Sequence, residues 1–134
     1  MKNARITIEL ISAAILGLAV IIIPVVLDSS AHQYDAAFLP VIRTAVEGMK
    51  FKSLILLIPL GAVFGCFSKT PFWLVGPATV VLLPLWSSVD LALGGSHNLL
   101  PIEWAFYCFY GAFGMLGASI GYGIKWIYNH KTAS

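Results

Sequence analysis

The stretch of residues 6–27 contains a single charged side chain, Glu9, and limits what this chain can fold into more than any other feature. As an α-helix it is long enough to cross about 30 Å of hydrocarbon, which takes roughly 20 residues. Further apolar runs follow at about 51–67, 72–93 and 102–128. The bilayer core offers no water to backbone groups, so a spanning segment must be a helix or belong to a closed barrel. A barrel would show roughly 10-residue stretches of alternating polarity. These runs are continuous, and they predict helices. Only 10% of the 134 residues are charged and 59% are hydrophobic. An ordinary soluble domain is about 25% charged, and a water-soluble fold of this size could not cover so much apolar surface.

Lys2 and Arg5 ahead of an apolar run also fit a signal peptide, and Ser29, Ser30 and Ala31 are small enough for a cleavage site. The run is longer than the usual 7–15 residues of such a segment, so the expectation is a retained first helix. The second run, 51–67, is short for a span. Ser68, Lys69 and Thr70 predict a tight turn, with Pro71 as the first residue of the third helix, where a missing N–H costs nothing. Pro77 and Pro84 predict kinks in that helix, since each removes an internal hydrogen bond. Gly94, Gly95 and Ser96 end it, and Pro101 opens the fourth helix, with Glu103 favoured by the dipole of its first turn.

Short cytoplasmic loops gather Lys and Arg. An inside N-terminus puts Lys2, Arg5, Lys69, Lys125 and Lys131 in the cytoplasm and Arg43, Lys50 and Lys52 outside. The bias predicts both termini inside. Trp73 and Trp126 then fall near the inner boundary, and Trp86 and Trp104 near the outer one, as interfacial belts do. Between the first two spans, Ala37, Phe38, Val41, Ile42, Ala45, Val46 and Met49 recur at helical spacing, with Arg43, Glu47 and Lys50 on other faces. This segment reads either as an interfacial amphipathic helix or as an outward extension of the second span.

An ionised group inside hydrocarbon costs at least about 2.5–3.5 kcal/mol and marks function by default. Glu9 lies four residues after Arg5 and near a helix end, so an interfacial ion pair is the plainer reading and a proton or cation site the sharper one. Asp90, after Ser87 and Ser88, is expected near the outer end within reach of water, with a ligand site as its sharper reading. No charged residue sits at the middle of a run, which weighs against a proton relay within this chain. Asp28, His32, Asp35 and His97 carry the donor types of a divalent-cation site, at unspecific spacing, and a solvated acidic loop accounts for them, so no metal is expected. There is no GxSxG, no HExxH and no carboxylate pair in an expected cavity. Neither catalytic residues nor a cofactor is expected. Cys66 and Cys108 lie in apolar runs, where thiols behave as small hydrophobes. A net charge of +2 is too small and scattered for a nucleic-acid surface.

The strongest local signal is small residues: Gly111, Gly114, Gly117, Ala118 and Gly121 in the fourth helix, and Gly61, Gly65 and Ser68 in the second. Lipid tails give no hydrophobic drive for helix association, so van der Waals contact through such faces takes that role. Phe106, Phe109, Phe113, Leu116, Ile120, Ile124 and Ile127 fall on the opposite side of the fourth helix. The expected fold is a single-domain, all-α integral membrane protein with four spans, both termini cytoplasmic and a short amphipathic outer segment after the first span, in the bilayer of a bacterial inner (plasma) membrane. The expected role is a non-enzymatic accessory or assembly subunit, or a homo-oligomer, whose partner is itself or another membrane protein. The alternative is a small transporter or channel completed by oligomerisation, lined by the proline-kinked helix, with Glu9, Asp90 or Thr79 facing the pathway.

Overall fold

The computed structural model of the chain describes residues 2–27, 39–47, 51–94 and 100–132. All elements there are helices: α1 (Lys2–Val26), α2 (Pro40–Glu47), α3 (Phe51–Phe67), α4 (Phe72–Val80), α5 (Leu82–Ala92) and α6 (Leu100–Thr132). Among the described residues two stretches are long and apolar enough to cross a membrane, Asn3–Val26 with mean hydropathy 2.6 and Phe72–Ala92 with mean hydropathy 1.6. A third exists if α2 and α3 count as one bent span, and their axes differ by 102°. That angle makes α2 a helix of its own rather than a coaxial extension of α3. At 33 residues α6 has ample length, but its glycines and tyrosines dilute its hydropathy.

The third apolar run is not one rod. Pro77 and Pro84 delete two rungs of the hydrogen-bond ladder, and Val81 falls between them as the break separating α4 from α5. Its N–H reaches back only to the Ala78 carbonyl, at 3.4 Å. Pro71 has φ −57° and ψ 140°, so it is the extended residue flanking α4 rather than its first turn. Gly94, at φ +91°, follows the end of α5 in the left-handed region that glycine enters without steric cost.

α1 packs on α4 and α3, α4 packs on α6, and α6 packs most extensively on α3. Helices α3 and α6 run parallel, because Ile58, Gly61, Ala62 and Gly65 of one follow Gly114, Gly117, Ala118 and Gly121 of the other in the same order. The α4–α5 pair runs antiparallel to α6, with Phe72 beside Tyr122 and Ser87 beside Tyr107. One end of the bundle therefore carries Glu9, the 68–70 turn and Lys125. The other carries the last turns of α1 and α5, the first turns of α3 and α6, and α2.

The two halves pack by different means. Near the Glu9 end the helices touch backbone to backbone through glycines. Toward the Asp90 end the core is built from large side chains, Ile21, Val25, Leu54, Leu57, Leu83, Trp86 and Tyr107, to which α2 adds Ile42 and Ala45. Trp86, 4% exposed, thus belongs to this core and not to an interfacial belt, whereas Trp73, Trp104 and Trp126 are exposed near the ends. Phe113 also differs from the expected lipid-facing placement: it is half-buried and packs against the core. The remaining large side chains of that set, Phe106, Phe109, Leu116, Ile120, Ile124 and Ile127, are exposed.

Candidate functional site

Four donors hold the Glu9 carboxylate. Arg5 Nε donates to its Oε1 at 3.0 Å, while the Ser68 hydroxyl at 2.5 Å, the Thr70 hydroxyl at 2.8 Å and the Lys69 backbone N–H at 3.2 Å donate to Oε2. An ionised carboxylate offers about four acceptor sites, two on each oxygen; three of the four donors converge on Oε2 and one engages Oε1. Ser68 Oγ also accepts the Thr70 N–H at 2.8 Å, and the Ser68 carbonyl accepts from Lys125 Nζ at 2.8 Å. The cluster thus ties α1, the α3–α4 turn and α6 together at one end. Arg5 was legible at i,i+4 spacing; the hydroxyl donors, some sixty residues away, were not.

Asp90 does not reach water. It is 0% exposed, on the buried face of α5 with Trp86 and Ser87, and it has an interaction partner. The sequence placed it by its depth along the helix, but its side of the helix decides burial. Nearby, the Ser87 hydroxyl and the Tyr107 hydroxyl share a hydrogen bond of 2.8 Å, and Ser87 also reaches Glu103 Oε2 at 3.5 Å. Thr79 is buried as well, and its hydroxyl donates to the Gly76 carbonyl at 2.7 Å.

Each small residue expected to pack does so within the chain. A Cβ on Gly61 would run into the Gly114 carbonyl oxygen, on Gly65 into that of Ala118, on Gly117 into that of Ile58, and on Gly121 into that of Ala62. A Cβ on Gly114 would come within 2.6 Å of Thr79 Oγ1, and on Gly111 within 3.2 Å of Val80 Cγ2. Gly76, unmarked in the sequence reading, meets Met115 and the Gly111 carbonyl in the same way. Cys66 donates its thiol to the Gly121 carbonyl at 3.3 Å. Both cysteines are free.

One surface feature stands outside this packing. A groove of about 500 Å³ runs between α4–α5 and α6, with Pro77, Val81, Pro84, Leu85 and Ser88 on one wall and Trp104, Cys108, Ala112 and Met115 on the other. Its origin is local. α4 packs closely on α6, but beyond the break at Val81 α5 touches α6 little, and Gly111 and Ala112 place almost no side chain in the gap. Neither Glu9, Asp90 nor Thr79 lines it. The sequence signal for it was the coincidence of two prolines with small residues on the facing helix. Among the described residues no cluster of His, Cys, Asp or Glu could hold a metal ion; Asp28, His32, Asp35 and His97 lie outside them. In comparison with known proteins, the chain matches no protein-family model, no curated protein and no solved structure.

Proposed function

We propose that the chain is a four-span membrane protein with both termini cytoplasmic, catalysing no reaction itself, and that it works in the plane of the bilayer by offering the groove between α4–α5 and α6 to a partner. The groove carries this reading. The glycine faces of α3, α4 and α6 are occupied by helices of the same chain, whereas the laterally open groove is a concave surface that the described residues leave uncovered. The four-span reading draws on the alternating helix directions and on the gathering of Arg5, Lys69 and Lys125 at the Glu9 end, since cations mark the cytoplasmic side. A homo-oligomer and an accessory subunit of a larger assembly are both forms of this role.

The ion-pathway alternative has less support. Its carboxylate Glu9 is engaged by four protein donors, and the groove lined by the proline-broken helix has mostly apolar walls, which give an ion little in exchange for its hydration. Mass measurement of the intact assembly released from mild detergent tests the proposal. An occupied groove gives a mass above that of the bare chain, and Leu85→Trp, which fills the groove from an exposed position, returns it to the bare value. A bare monomer in the wild type, unaltered by Leu85→Trp, would remove the reading.

A further inference from the structure

We infer that the groove is a binding site for one hydrocarbon chain of an amphiphile, an acyl or isoprenoid tail drawn from the leaflet at the Asp90 end. This rests on the reading of the groove as the chain's working surface and names its occupant. Eleven residue steps separate Trp104 from Met115 and another eleven separate Pro77 from Ser88; at about 1.5 Å per step each wall is about 16 Å long. That is about half of a 30 Å hydrocarbon core. A partner transmembrane helix would run the whole thickness, whereas a lipid tail occupies one leaflet.

Position along the helix agrees. Glu103 and Lys125 bracket the apolar part of α6, and Met115 lies near the middle between them, so the groove extends from mid-membrane to the Asp90 end. Polarity is graded in the same direction. The deep end is Pro77, Ala112 and Met115, whereas the shallow end has the Ser88 hydroxyl and Trp104, 47% exposed. The amphipathic indole ring is favoured at headgroup level. The volume of about 500 Å³ is within the roughly 300–1,000 Å³ range of ligand sites. The shape is also pre-formed: beyond the proline break α5 touches α6 only sparsely, where Ser87 meets Tyr107, so no helix has to move to admit the chain.

The test uses the full chain in nanodiscs of palmitoyl-oleoyl phosphatidylcholine, released for mass measurement under activation that strips annular lipid. The expected result is one lipid retained by the wild type and lost in both Leu85→Trp and Ala112→Trp, which fill the groove from opposite walls. Ile120→Trp, on the exposed side of α6 away from the groove, keeps it. Circular dichroism and melting of each variant establish that it is folded. A lipid held equally by the groove-filled variants would overturn the inference. A second polypeptide retained in place of lipid would also overturn it, while leaving the groove as the working surface. Retention of nothing, with no effect of filling, would remove both.

Discussion

The Glu9 carboxylate accepts a hydrogen bond from the hydroxyl of Ser68, 59 positions further along the chain. With Thr70 and the Lys69 N–H on the same oxygen, this makes the first helix and the α3–α4 turn one unit at the Glu9 end. The acidic residue of the apolar run thereby joins α1 to the α3–α4 turn.

Glu9→Ala should therefore lower the melting temperature of the detergent-solubilised protein by far more than Arg5→Ala. Hydrogen bonds to a charged group are each worth about 1.5–3 kcal/mol, and Glu9→Ala also strands the buried Ser68 and Thr70 side chains. Arg5 contributes one exposed i,i+4 pair, a type worth about 0.3–0.5 kcal/mol. Equal effects of the two substitutions would show that the turn hydroxyls do not hold Glu9.

Gly117→Leu should unfold or strongly destabilise the protein, because even a Cβ there meets the Ile58 carbonyl oxygen, a backbone atom that cannot rotate away. Ile120→Leu, on the exposed side of the same helix, should leave the melting curve unchanged. Gly123→Ala makes the sharper contrast. Nothing lies within 4 Å of its Cβ position, so replacing a helical glycine should be neutral or stabilising by up to about 1 kcal/mol. A melting curve insensitive to Gly117→Leu would mean that α3 and α6 are not in backbone contact.

Ser53 is fully buried on α3, and its hydroxyl has no hydrogen-bond partner among the described residues. An unsatisfied buried polar group costs about 1–3 kcal/mol. Ser53→Ala should accordingly hold or raise the melting temperature, unlike most core substitutions. A fall of several degrees would reveal that the hydroxyl is bonded in the membrane.

The proposed orientation predicts that single cysteines at positions 2, 69 and 131, in a background lacking Cys66 and Cys108, resist a membrane-impermeant thiol reagent in intact cells, while those at 32 and 97 react. Labelling of position 69 from outside would reverse the topology.

Much of the architecture was legible because lipid imposes simple rules. Continuous apolar runs had to be helices, the 68–70 residues had to turn, and Pro77 and Pro84 had to interrupt the helix containing them, since each effect depends only on neighbours in the chain. The i,i+4 pairing of Arg5 with Glu9 was readable for the same reason.

What the sequence could not determine was which way each helix turns its faces and which helices meet. Asp90 and Trp86 have the same composition and depth whether they point to water or to the core, and only the rotation of α5 about its axis buries both. The hydrogen bonds that Glu9 accepts from Ser68 and Thr70 needed α1 brought beside the start of α4, a pairing that the close approach of Gly17 to the Thr79 backbone supports. The groove exists because α4 packs closely along α6 while α5 touches it only sparsely, where Ser87 meets Tyr107. Local sequence sets the helices through short-range hydrogen bonding and hydrophobicity. Contacts between residues about sixty positions apart depend on the summed fit of whole helix surfaces, which only the tertiary structure decides.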